Sequence, residues 1–191
     1  MASVSLWIYR LVLSGLLPIV LPIIKIRQRL TGKSRPRFRD RLSRSLPELP
    51  TQGVWIQAVS VGEVEVARRL VRELADHRPG LPVVVTATTA TGLELAGRGL
   101  DGAAHVLPCP FDLARPVGRL LDAARPRLVA LVETELWPEL MHQAVRRGIP
   151  VVVVNGRLSD ASFAGYRRLG RLLGPLVEPL SMVMVRDAAD A

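Results

Sequence analysis

Residues 151–154 read Val-Val-Val-Val, with nothing polar to interrupt them. A strand sends successive side chains to opposite faces, so four valines in a row must be covered on both sides. That excludes a sheet with one face in water and favours a parallel sheet between two helical layers. Short apolar runs of the same kind recur at residues 54–59, 82–87, 104–107, 128–132 and 181–185. Between them, apolar spacing predicts helices near 61–77, 91–99, 113–124, 138–147 and 160–174. The alternation is that of an α/β chain with right-handed crossovers, a Rossmann-like doubly wound parallel sheet. Punctuation agrees: Pro138 suits a first helical position, Gly148 a helix end, and Pro150 leads into the next strand.

A chain of 191 residues, 49% hydrophobic, is long enough for one good core, and the pattern above places that core after residue 50. The net charge of +9 points at first to nucleic acid, but its distribution argues against it. Residues 1–44 hold ten Lys or Arg and a single acid, Asp40, whereas residues 45–191 hold sixteen of each sign. The globular part is neutral, and no nucleic-acid partner is expected. One cysteine, Cys109, cannot form an internal disulfide.

The basic excess follows an apolar stretch, residues 4–24, broken by Arg10, Pro18 and Pro22. At about 1.5 Å per residue it is just long enough to cross a hydrocarbon core of roughly 30 Å. The charge and the two prolines weaken a clean span, which leaves open an interfacial helix or a buried one. Residues 1–24 are therefore expected to be a membrane anchor helix. Residues 25–50 follow as a basic collar and Pro-rich linker, and residues 51–191 as the α/β domain. Cations next to the apolar segment favour the cytoplasmic side and anionic headgroups.

In open sheets of this kind ligands bind beyond the carboxyl ends of the strands. The segments there are "SVGE" (60–63), "TTATG" (88–92), "PCPFD" (108–112), "ETELWP" (133–138) and "NGRLS" (155–159). Ser60-x-x-Glu63 and Thr91-x-x-Glu94 both match the capping box, in which a hydroxyl and a glutamate three residues on satisfy orphan helix amides. For Glu63, cap and catalytic base both remain open. "ETELWP" sets Glu133 and Glu135 one residue apart at a strand exit, where either raised pKa values or a cationic partner is expected. Arg157 is the candidate for that partner, or for contact with an anionic substrate.

Several chemistries lack their signals. There is no GxGxxG after the first strand and no GxxxxGK[ST], so neither a dinucleotide cofactor nor a P-loop is expected. His77, His105 and His142 show no metal-ligand spacing, and no metal is expected. Cys109, between two prolines, reads as packing, and Tyr166, Arg167 and Arg168 read as a solvated helix face.

Taken in order, "WIQAVSVGE", "TTATG", "ETELWP" and "NGRLS" with a later tyrosine, behind an apolar N-terminal segment, resemble the N-terminal half of 3-deoxy-D-manno-octulosonic acid (Kdo) transferases. The resemblance runs over about residues 4–187. It implies an inverting GT-B glycosyltransferase of lipopolysaccharide biosynthesis. Such enzymes move Kdo from CMP-Kdo to the lipid A precursor, lipid IVA, at the cytoplasmic face of the inner membrane. It also implies that Glu63 is the general base on the acceptor hydroxyl and that Glu133 helps stabilise the transition state. Substrate contacts are expected among Ser60, Gly62, Thr89, Gly92, Glu135 and Arg157.

The family pattern usually has histidine at Gln57, proline at Ala90, asparagine at Glu139 and alanine at Gly156. A GT-B enzyme has two Rossmann-like domains, with the donor nucleotide held mainly by the second, and this chain reads as the acceptor-side domain alone. On that reading it has little or no transferase activity by itself. Two alternatives stand beside it: a non-enzymatic, membrane-tethered α/β binding module, and a GT-B transferase acting on another lipid-linked acceptor.

Overall fold

The structure is a computed structural model that describes residues 4–31, 39–100, 102–133, 136–157 and 170–185. Six strands form one sheet: β1 (Val54–Gln57), β2 (Val83–Ala87), β3 (His105–Pro108), β4 (Leu128–Val132), β5 (Val151–Gly156) and β6 (Leu180–Val185). Their order is β3-β2-β1-β4-β5-β6, and all five pairings are parallel. Val151, Val152 and Val153 are buried, as the uninterrupted valine run requires.

The helices are α1 (Val4–Thr31), α2 (Val61–His77), α3 (Ala90–Gly99), α4 (Ala114–Ala124), α5 (Pro138–Arg146) and α6 (Gly170–Val177). Two apolar clusters divide the two faces of the sheet. Ile56, Val85, Ala130 and Val132 pack with Val64, Ala67 and Val71 of α2 and Ala96 of α3. Trp55, Val84, Val129 and Leu131 pack with Val117, Leu120 and Leu121 of α4 and Leu140, Met141 and Ala144 of α5. The chain thus winds one way from β1 and the other way from β4, and the strand order reverses between these two central strands. In open α/β sheets that reversal opens a crevice at the carboxyl ends.

Residues 158–169 lie outside the described residues, and with them most of the helix expected at 160–174, Tyr166, Arg167 and Arg168. The helix described after β5 is α6, which runs later in the chain, to Val177.

α1 differs from expectation in extent and placement. It continues past residue 24 into the basic stretch as far as Thr31, with Pro18 and Pro22 inside it. Ser5 and Leu6 are buried, whereas Val4, Trp7, Leu11, Ile19 and Ile23 are exposed. α1 is therefore neither a core helix nor a free tether: one edge is docked on the domain and a broad apolar face is open. No helix among the described residues is long and apolar enough to cross a membrane.

Candidate functional site

Glu63 lies in the first turn of α2, directly beyond β1. Ser60 is the N-cap, in extended backbone, and its Oγ accepts a hydrogen bond from the Glu63 N–H at 3.3 Å. The Glu63 carboxylate reaches back to two amides: Val59 N–H donates to Oε2 at 2.7 Å and Ser60 N–H donates to Oε1 at 3.2 Å. The capping box expected from the sequence is formed, and an extra bond from Val59 fixes the second oxygen. The residue is 4% exposed. A carboxylate has about four acceptor sites, and these amides engage one on each oxygen while fixing the plane of the group.

The second expected capping box does not form. α3 starts at Ala90, and its N-cap is Thr89, whose Oγ1 accepts from Gly92 N–H at 3.0 Å. An N-cap two residues earlier than Thr91 puts Gly92 at the third helical position, which the box reserves for a glutamate. Glu94 instead pairs with Arg98 on the exposed surface. A Cβ at Gly92 would lie 2.8 Å from Thr89 Oγ1, so both residues have a local structural reason to be as they are. Gly62 has none: a Cβ there would meet only Ser60 Oγ, at 3.8 Å. The smallest side chain stands in the exposed turn beside Glu63 without the fold requiring it.

Glu133 leaves β4 on the other side of the reversal. Its φ is 60°, a left-handed conformation that non-glycine residues rarely adopt, and its N–H donates to Val154 O at 2.9 Å. Asn155, at the exit of neighbouring β5, has φ 58°. Such strain is characteristic of functional turns and costs of order 1–3 kcal/mol. Arg157, directly after β5, is exposed, and Glu135 lies outside the described residues. β1 and β4 are paired neighbours, with Gln57 opposite Leu131. Glu63 and Glu133 therefore leave adjacent strands on the two sides of the switch point.

A polar cluster that the sequence did not lead one to expect gathers at the start of α5. Asp112, in the turn after β3, is 5% exposed and accepts three hydrogen bonds. Glu139 N–H donates to its Oδ2 at 3.0 Å, Leu140 N–H to its Oδ1 at 2.9 Å, and the Tyr9 hydroxyl to its Oδ2 at 2.6 Å. Burial pushes this carboxyl up to about 6, although the three donors hold it down. Burial also raises the Tyr9 phenol, and the neighbouring Asp112 adds to the effect.

Arg10 donates to both oxygens of Glu139, and Gln143 Nε2 adds a bond to Oε1 at 2.7 Å. Hydrogen bonding to Glu139 raises Arg10, whereas burial lowers the nearby His142. Glu139, a departure from the family pattern, is thus the partner of the lone charge in the apolar segment. Arg10 itself was the available signal, since a charge inside an apolar run needs a partner.

Gln57, a second departure, lies in a buried polar chain beneath the sheet exits. Trp55 Nε1 donates to Thr86 Oγ1 at 2.8 Å, Thr86 Oγ1 donates to Gln57 Oε1, and Gln57 Nε2 donates to Cys109 Sγ at 2.6 Å. Cys109 is fully buried, and that burial raises its thiol. It packs, as expected. His77 and His105 are exposed, and no cluster fit to hold a metal occurs among the described residues.

A reversal of strand order, a buried glutamate fixed at a helix start and a strained glutamate at the next strand exit meet at the carboxyl ends of the sheet, the candidate site. The family profile described as 3-deoxy-D-manno-octulosonic-acid transferase (kdotransferase) matches residues 27–191. This chain belongs to the Kdo transferase family. It is 34% identical over 187 residues to a 3-deoxy-D-manno-octulosonic acid transferase of Haemophilus influenzae, covering 94% of this chain and 43% of that relative. A transferase of the same description from Bordetella pertussis is 33% identical over 193 residues, 96% of this chain and 44% of its own length. A bifunctional glycosyltransferase/methyltransferase of Fusobacterium nucleatum is 29% identical over 162 residues, 83% of this chain and 25% of its own. The chain spans under half the length of these relatives.

Among solved structures, the UDP-GlcNAc 2-epimerase of Neisseria meningitidis bound to UDP-GlcNAc superposes with a TM-score of 0.50 at 14% identity, over 73% of this chain and 42% of that one. That likeness concerns the fold alone. The chain is thus a Kdo transferase family domain with a Rossmann-like sheet.

Proposed function

We propose that the chain is the acceptor-side domain of an inverting Kdo transferase that moves Kdo from CMP-Kdo to the lipid A precursor. Glu63 takes the proton from the acceptor hydroxyl as its oxygen bonds to the anomeric carbon of Kdo, while the bond to the CMP phosphate oxygen breaks on the opposite side. Glu133, across the switch point, stabilises the charge that develops. The observation that carries this reading is the buried Glu63 carboxylate, held by two amides at the mouth of the sheet beside an unobstructed glycine. A positioned base on one face is what an inverting transfer requires. Ser60 and Gly62 border the acceptor hydroxyl, and Arg157 serves an anionic group of the substrate.

α1 serves the same reaction on this reading. Its open apolar face lies in the headgroup region at the cytoplasmic face of the inner membrane, and the following basic residues meet anionic lipid and the acceptor's phosphates. The donor nucleotide is assigned to a second domain.

The test fuses this chain to a donor-binding Kdo transferase domain and measures transfer to lipid IVA. Glu63→Gln and Glu63→Ala are both expected to lower it by about 100-fold or more. Near-normal transfer by Glu63→Gln removes the base assignment.

A further inference from the structure

Helix α5 begins without a cap of its own. Its N-cap residue, Trp137, makes no side-chain capping bond, and Pro138 at the first position has no N–H to satisfy. Met141 N–H already bonds Trp137 O, which leaves the amides of Glu139 and Leu140 as the orphans of the first turn. Both go to Asp112, 27 and 28 residues earlier. A carboxylate from the β3–α4 turn thus does for α5 what a local Ser or Asp ordinarily does.

Glu133 N–H is bound to Val154 O at the exit of β4, and Asp112 holds the first turn of α5. In sequence Glu133 shortly precedes Pro138, the first residue of that helix. Tyr9 fixes the Asp112 carboxylate from above, and Arg10 fixes the Glu139 side chain whose amide Asp112 receives.

We propose that Asp112 is a positioning residue of the transfer site: by capping α5 from a neighbouring turn it fixes the start of the helix that follows Glu133, and with it the placement of Glu133. This rests on the role proposed for Glu133. In ionised form the carboxylate holds both α5 amides, and on protonation one oxygen becomes a donor and a capping bond is lost. Among the described residues, the charged or titratable groups around it are Tyr9 and Arg10 of α1, Glu139 and His142 of α5, Cys109 of its own turn, and Arg41, whose guanidinium bonds Cys109 O. Buried among them, the carboxyl titrates near pH 6.

The experiment follows amide resonances of the isotopically labelled chain from pH 5 to 8. Glu139, Leu140 and Glu133 amides are expected to shift together with a midpoint near 6. Asp112→Asn is expected to abolish that common titration. Tyr9→Phe removes a donor to the ionised form and is expected to move the midpoint upward, and it provides the test should Asp112→Asn fold poorly. The proposal is overturned if Glu133 stays still while the two α5 amides titrate. It is equally overturned if the midpoint survives in Asp112→Asn, which would assign it to His142, or if Tyr9→Phe leaves it in place. No transfer is measured, so a fused enzyme in which Glu133→Gln keeps full activity would sink the role of Glu133 while leaving this titration intact.

Discussion

Arg10 of α1 forms two hydrogen bonds with Glu139 of α5, at 2.6 and 2.9 Å, across 129 residues of sequence. Glu139 is fully buried, and Arg10 is its ion-pair partner. Truncating Arg10 to Met leaves a carboxylate without its cation, and the expected loss is about 3 kcal/mol, since Arg10 keeps partial contact with water. The double variant Arg10→Met/Glu139→Leu is expected to recover most of it. Urea unfolding of the four chains of that cycle measures both.

The capping box at α2 gives a separate stability signature. Ser60→Ala is expected to cost about 1 kcal/mol. Glu63→Ala should cost at least as much because it frees the amides of Val59 and Ser60, whereas Glu63→Gln keeps an acceptor and should cost less. Thermal denaturation ranks the three.

The pH dependence of stability follows from Asp112. Its carboxyl in the folded chain lies near 6, above the ordinary 3.8, so between those values the folded state holds the proton that the unfolded state has released. Stability contributed by this group is therefore full below about pH 4, falls as the pH rises to about 6, and is level above. Two pH units correspond to at most about 3 kcal/mol. The difference between wild type and Asp112→Asn in denaturant unfolding, measured from pH 4 to 8, should show that slope. Mild acid would then loosen one cap locally while it stabilises the chain globally.

Glu133 carries left-handed backbone that glycine adopts without cost. Glu133→Gly is expected to be neutral or stabilising by up to about 1 kcal/mol, because relief of strain offsets the greater freedom of the unfolded chain. Glu133→Val should destabilise by more than 1 kcal/mol. Chemical denaturation of both variants, with transfer measured in the fused enzyme, separates strain kept for function from strain without use.

The open face of α1 predicts lipid binding independent of the ion pair. Leu11 and Ile19 are 76% and 61% exposed. Replacing both by Asp is expected to reduce sedimentation with phosphatidylglycerol vesicles at least tenfold while leaving the unfolding midpoint within a degree or two.

The six strands were legible because runs such as Val151–Val154 leave a parallel, doubly covered sheet as the only economical arrangement. Ser60 and Glu63 were legible because a capping box is local, and three residues of sequence contain it. The cap of α3 was misplaced by two residues because threonine stands at 88, 89 and 91, and the choice among them depends on how Gly92 packs against Val64 and Ala87. Asp112 was not legible as a cap, since its helix begins far away along the chain. The strain at Glu133 was also hidden, because glutamate is not a residue that announces a left-handed turn.

Cys109 closes the buried chain from Trp55 through Thr86 and Gln57, and it is the protein's single cysteine. A thiol so enclosed cannot meet a reagent until the ends of β1, β2 and β3 separate. Its rate of labelling is therefore a clock for opening of the floor beneath the site, read on the unmodified sequence. Run with and without bound lipid, that clock reports whether occupancy above the sheet tightens the strands below it.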